Sequence, residues 1–361
     1  MSLVDERTIL RSIVTKQDRL YLLNKVIGAR LISYEIKNFF VPKSDYTELS
    51  EKKSYYTGTI RFDNETQKEA SFFKFAQNEG EIAKHIFKAA SKLNQDGILQ
   101  PWFLTNNKLE KTWILCYERF NYLLSELPDN DIFELPENWR LSVRNSMETI
   151  KYIHERYLLH LGLKKRSSYA LIKDKNGFKI KILFDRNSSS ENSVYNIKKA
   201  KLDDWKDYKD VLEFLLKSLP QTDDLKLFLS YFGLGQNGKY KVFVDRLIRH
   251  PFLLRAEEKM QLITNVQHAI ITQMISQNFR NAVNGEKFSE YENWDKKLDN
   301  WLANIYSRQI RAGIRYNVLK VTGLIKFLKD IYVHHCGQVE EVDSHVPHSF
   351  PGLYGRLYES L

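Results

Sequence analysis

Cysteine is nearly absent: Cys116 and Cys336 are the two in a chain of 361 residues. A disulfide scaffold is thereby excluded, and a reducing compartment fits. Glycine is scarce at 15, against 20 Tyr, 21 Phe and 6 Trp. That balance favours helices and packed aromatic layers over a Gly-rich nucleotide fold. No apolar run approaches the ~20 residues of a membrane span, and the opening MSLVDERTILRS lacks a signal-peptide core. A soluble, cytoplasmic protein is expected. Negative charge is in deficit, with 45 acidic against 55 basic residues and a net charge of +10. This is compatible with nucleic acid without requiring it. Apolar residues at 43% are enough for real cores, and the length suggests about two or three domains.

The first 40 residues read as helical, through Ile9, Leu10, Ile13 and Val14 and then Leu20, Leu22, Leu23 and Val26. The period then changes. Tyr55 to Phe62 and Ala70 to Ala76 read as a β-hairpin, and Glu79 to Leu93 as a helix with Ile82, Ile86, Ala89 and Leu93 on one face. Two strand-like runs follow, Ile98 to Thr105 and Thr112 to Phe120. Leu141 to Tyr157 is helical through Val143, Met147, Ile150 and Ile153, and a ribbon spans Ala170 to Phe184. Asn187 to Asn192 reads as a polar loop, and helical patterns run from Asp203 to the end.

Two strands, a helix, two strands and a helical lobe is the order of a protein-kinase domain. Lys74 stands in a strand where kinases hold the nucleotide phosphates, with Glu81 as its expected ion-pair partner and Glu79 as the second choice. His160, Leu163 and Lys164 match the frame of the kinase catalytic loop, and Asp185-Arg186-Asn187 stands where Asp-Phe-Gly is expected. Asp203-Asp204-Trp205 resembles the long buried helix of the large lobe, and Arg249-His250-Pro251-Phe252 the end of the domain. The chemistry is missing, however. Gly162 occupies the catalytic Asp position and Ser167 the metal-binding Asn position, and no G-x-G-x-x-G precedes Tyr55. The lobe reads as a pseudokinase in which Lys74, Glu81 and Asp185 are vestigial nucleotide-binding residues. That leaves little basis for ATP or ADP binding.

A kinase-like domain followed directly by about 100 helical residues resembles the kinase–endoribonuclease family of ribonuclease L and of the inositol-requiring sensor of the unfolded-protein response. That family's ribonuclease site has a Tyr, then an Arg-Asn pair, then a His five residues after the Arg. Here Tyr316 falls eighteen residues before His334, Lys329-Asp330 takes the Arg-Asn position, and Phe350-Pro351-x-Leu353 resembles the family's terminal segment. The segment between His334 and Phe350 is shorter than in the relatives. Independently of the resemblance, Lys326, Asp330 and His334 are spaced i, i+4, i+8 and share one helix face. Between Trp301 and Lys329 there is no acidic residue, while Arg308, Arg311, Arg315, Lys320, Lys326 and Lys329 are basic, a stretch suited to phosphates. His334 as general acid, Tyr316 as base or phosphate ligand, and Lys329 as cation could cleave RNA by 2′-hydroxyl attack without a metal. His334, His335, Cys336, His345 and His348 cluster, but C-x8-H-x2-H matches no common zinc spacing, so no metal is assigned.

The expected fold is α+β. Residues 1–50 form a helical extension, 51–120 a kinase-like small lobe, 121–254 a kinase-like large lobe, and 255–361 an all-α endoribonuclease-like domain. The resemblance implies RNA as substrate, a homodimer as the active form and no required cofactor. Another kinase–ribonuclease family member is a further candidate partner. The competing expectation is a catalytically silent homologue that acts as a regulatory scaffold or an RNA-binding partner.

Overall fold

The computed structural model describes residues 10–13, 21–22, 31–40, 55–62, 67–127, 135, 138–174, 177–186, 188–190, 196–236, 239–274, 276–334 and 336–361. The protein is mixed α+β and divides into two compact units, Met1–Ser218 and Leu219–Leu361. Among the described residues no helix is long and apolar enough to cross a membrane.

The first unit is built on a seven-stranded antiparallel sheet. Its strands are β1 (Leu10–Ile13), β2 (Tyr21–Leu22), β3 (Leu31–Phe40), β4 (Tyr55–Phe62), β5 (Gln67–Ala76), β6 (Pro101–Asn107) and β7 (Thr112–Glu118), in the order β1-β3-β4-β5-β7-β6-β2. This corrects the expected helical extension over 1–50: its described residues are strands, and β1 and β2 lie at opposite edges of the sheet. The physical reason is visible in β3. Tyr34 and Ile36 are buried while Ser33 and Glu35 are half-buried, a period of two. Short apolar runs satisfy helix and strand spacing alike, and pairing decides between them. Tyr34 packs on Phe72 and Phe103 at ring distances of 6.0 and 5.7 Å. Ile60, Ala70, Ile114 and Cys116 complete this layer. Burial there pushes the Cys116 thiol well above its usual range. Gly58 lies opposite Ile36 next to a register shift, and a β-carbon there would overlap the Glu35 carbonyl. Its lack of a side chain therefore serves strand packing.

Helix α1 (Gly80–Ser91) buries Ala83, Ile86, Phe87, Ala89 and Ala90. Beyond β7 come β8 (Tyr122–Leu123), α2 (Trp139–Glu155), β9 (Leu158–Leu159), β10 (Tyr169–Asp174), β11 (Gly177–Ile182), β12 (Ser189–Ser190) and α3 (Ile197–Leu215). Strands β8, β10 and β11 form a second sheet, and β9 pairs with β12. Val143, Met147, Ile150 and Ile153 make the buried stripe of α2. Within the polar loop expected over 187–192, Ser189 and Ser190 form the short strand β12 paired with β9, while Asn187, Glu191 and Asn192 lie outside the described residues.

The second unit is helical: α4 (Asp223–Tyr231), α5 (Tyr240–Ile248), α6 (Ala256–Ile271), α7 (Gln277–Val283), α8 (Asn300–Arg311), α9 (Val321–His334), α10 (Val339–Ser349) and α11 (Leu353–Ser360). The chain divides after Ser218, so the boundary expected between 254 and 255 falls inside this unit. The cause is packing between its two ends. Gly355 of α11 lies against Leu227 of α4, and the Tyr358 hydroxyl donates to the Arg246 carbonyl at 3.1 Å. His250 is fully buried among Phe228, Tyr231 and Tyr358, and burial lowers its pKa to about 3. Its ring is a neutral core member, and no charge is buried with it. Trp294 stacks on Phe327 of α9 at 5.0 Å, with Tyr306 and Tyr316 edge-on to the indole. This aromatic nucleus holds the segment before α9 against the helix.

Candidate active site

Helix α9 buries Leu324, Ile325, Phe327, Leu328 and Ile331, and leaves Lys326, Lys329 and Asp330 half-buried and His334 exposed at its end. Tyr316 lies in the loop before it. The Tyr316 hydroxyl is 3.0 Å from Asp330 Oδ2 and 2.6 Å from Gln309 Oε1. Lys329 Nζ donates to Asp330 Oδ1 at 3.2 Å. Lys326 Nζ donates to the Arg315 carbonyl at 3.2 Å and stands 5.2 Å over the Tyr316 ring. Tyr316, Lys329, Asp330 and Lys326 thus come together. His334 lies one helical turn past Asp330, and its ring makes no hydrogen bond to a described residue. Arg308, Arg311, Arg315 and Lys320 are exposed around the cluster. Among the described residues no group of three or more His, Cys, Asp or Glu is placed to hold a metal. His335 lies outside the described residues.

Burial, and then the Asp330 carboxylate, hold the Tyr316 pKa above its ordinary value. The phenol therefore keeps its proton at neutral pH, which suits a phosphate ligand and does not suit a base. One phenolic proton faces two acceptors. Turning the Gln309 amide makes it a donor to the phenol oxygen and leaves the Tyr316 proton for Asp330. Gln309 is buried and was not anticipated; nothing in its spacing marks it, because it reaches Tyr316 from α8. Gly323 was also missed. A β-carbon there would overlap the Asn317 carbonyl, so the Tyr316 loop folds onto the first turn of α9 because Gly323 has no side chain.

In the first unit, Lys74 on β5 donates to Glu110 Oε2 at 3.1 Å and stands 4.7 Å over the Tyr56 ring. The expected Lys74–Glu81 pair is absent: Glu81 is exposed in the first turn of α1 and pairs with Lys84, while Glu79 accepts the Ala76 N–H at 3.0 Å. Glu110, in the turn joining β6 and β7, is the carboxylate that reaches Lys74. Asp185 is buried, with Lys165 Nζ at 3.5 Å. A β-carbon on Gly162 would stand 3.1 Å from Asp185 Oδ2. The loop from 160 to 163 is fastened by Asp204 of α3, whose oxygens accept the His160 and Leu161 N–H groups at 3.0 and 2.8 Å. The same carboxylate lies 3.0 Å from His154 Nε2. Leu161 has φ 55, a left-handed conformation costly for leucine, and the bond to Asp204 offsets that strain. His160 Nε2 lies 2.9 Å from the Leu183 carbonyl. Asp204 was seen in the sequence only as part of a buried helix; its anchoring role depends on partners more than forty residues away.

No family model matches the chain, and no curated protein matches it significantly.

Proposed function

We propose that the second unit is a metal-independent endoribonuclease and that the first is a kinase-like lobe without phosphoryl transfer, a divergent relative of the ribonuclease L and inositol-requiring sensor family. The observation that carries this reading is the junction of Tyr316 with Asp330 and Lys329, three residues that the family resemblance places in one site. It lies at the end of a stretch, Trp301 to Lys329, that contains six Lys and Arg and no Asp or Glu. In the reaction the 2′-oxygen bonds to phosphorus, the bond to the 5′-oxygen breaks, and a cyclic phosphate and a 5′-hydroxyl form. His334 supplies the proton to the leaving 5′-oxygen. Tyr316 donates a hydrogen bond to the phosphate, and Arg315 and Lys329 offset its charge. The 2′-hydroxyl proton goes to water, so cleavage is slow. A second copy of the chain is the proposed partner.

The kinase-like reading of the first unit is supported by the strand–helix–strand order and by the anchoring of the 160–163 loop on Asp204. Phosphoryl transfer is opposed by Gly162, which offers no carboxylate to a hydroxyl, and by Lys165, which already pairs with Asp185. No nucleotide is required for the proposed cleavage.

A second reading, a silent RNA-binding scaffold, is favoured by one contact: Lys329 is neutralised by Asp330 and is less available to a phosphate. Cleavage of a fluorogenic stem-loop RNA in EDTA, across protein concentration, separates the two. The expected result is cleavage that rises steeply with concentration and is lost in His334→Ala. Equal cleavage in the variant, or none in the wild type, gives the scaffold reading.

A further inference from the structure

The start of α8 carries an arrangement that the proposed chemistry leaves unused. Trp301 of α8 and His345 of α10 lie parallel, with ring centroids 4.7 Å apart and planes 3° from each other. The imidazole is pinned: its Nδ1 lies 2.6 Å from Asp299 Oδ2. Asp299 is itself held, since its Oδ1 accepts the Leu302 N–H at 2.9 Å and its own N–H donates to Ser349 Oγ at 3.1 Å. Nε2 of His345 has no hydrogen-bond partner among the described residues, and 31% of the side chain is open to solvent.

An imidazole oriented by a carboxylate resembles a general base, but the geometry rules that role out for the phosphate at Tyr316. Asp299 and Gln309 are ten residues apart along α8, which is ~15 Å at ~1.5 Å per residue. One phosphate cannot touch both places. The span does fit a polymer. A strand drawn out to roughly twice its stacked rise of about 3.4 Å covers it in about two nucleotides. The residues between are suited to that path. Trp301, Asn304, Arg308 and Arg311 recur at i, i+3, i+7 and i+10 and so share one face of α8, and the last three are exposed.

We propose that Trp301 and His345 form a base-stacking subsite for single-stranded RNA, taking an unpaired base about two nucleotides from the phosphate at the Tyr316–Asp330 cluster. The proposal rests on the RNA-cleaving reading of that cluster. Arg308 and Arg311 carry the intervening phosphates. The pinned rings lose little freedom when a base docks, which favours binding. Stacking tolerates any base because every base has a π face, so the subsite selects unpaired strand over duplex and not a sequence.

The test uses the full chain and a fluorescein-labelled hexanucleotide of 2′-O-methyl RNA, which has no free 2′-hydroxyl to attack. Binding is read by anisotropy while an abasic residue is walked along the strand. The expected result is a loss of about tenfold, about 1.4 kcal/mol, at one position and little elsewhere. In Trp301→Ala the intact strand and that abasic strand bind equally, whereas Trp301→Phe keeps the positional effect. Loss spread evenly over all positions, or a positional loss that persists in Trp301→Ala, overturns the subsite and leaves RNA binding at Arg308 and Arg311 standing. No binding by the wild type at low salt overturns the RNA reading, and the subsite with it.

Discussion

Asp330 is the residue on which the chemistry proposed for the second unit turns. Its two oxygens face Tyr316 and Lys329, so one carboxylate restrains both the phenol and the cation of the proposed reaction. A unit charge ~4 Å from a phosphate costs about 1 kcal/mol in water-like surroundings. Asp330→Asn removes that repulsion, frees Lys329, and lets the Tyr316 pKa fall back toward its ordinary value, since after burial the carboxylate is what chiefly holds it up. The expected outcome is about a fivefold gain in kcat/KM on the stem-loop substrate, with the onset of tyrosinate absorbance moved to lower pH. A loss of activity would instead make Asp330 the base that takes the 2′-hydroxyl proton. The family resemblance put Tyr316, Asp330 and Lys329 in one group, whereas helix spacing by itself put only Lys326 and His334 with Asp330. Gln309 was not legible, because its role comes from a contact between two elements and from no motif.

At the scale of elements, α9 is only as useful as its fit to the loop that carries Tyr316. Gly323 sets that fit, since the Asn317 carbonyl fills the space a side chain would need. Gly323→Ala forces the loop and the first turn of α9 apart, an overpacking that costs about 1–3 kcal/mol. The expected outcome is a lowered melting temperature and a larger proportional loss of cleavage, because the Tyr316–Asp330 bond spans the displaced contact. Cleavage that falls no more than the folded fraction would show that the phenol does not act. Elements differed in how readable they were. Helices α2 and α9 were visible because long amphipathic periods admit one interpretation. Strands β1 to β3 were misread as helix because runs of a few apolar residues fit both periods, and only their partners in the sheet fix them. The Lys74–Glu81 pair failed for a related reason: Glu110, in a turn, lies nearer to Lys74 than the residue chosen by analogy.

At the scale of the whole molecule, charge is unevenly distributed along the chain. The chain carries +10, and the segment from Trp301 to Lys329 holds six Lys and Arg with no Asp or Glu. That asymmetry was readable from the order of residues in the sequence. The division after Ser218 was not, because it depends on α11 returning to α4 across more than a hundred residues. Four cations of the basic stretch, Arg308, Arg311, Arg315 and Lys320, are exposed. Each exposed cation that displaces counterions from a single strand contributes about −0.7 to the slope of log K against log salt, so four give about −3. Raising salt from about 50 to 200 mM should then weaken binding of the 2′-O-methyl strand by about 50-fold. Replacing Arg308 and Arg311 together by Ala should halve the slope, because the effect counts phosphate contacts and not net charge. A comparable drop in affinity with an unchanged slope would mean that the two arginines act by packing, and that the phosphates are held elsewhere on the basic surface.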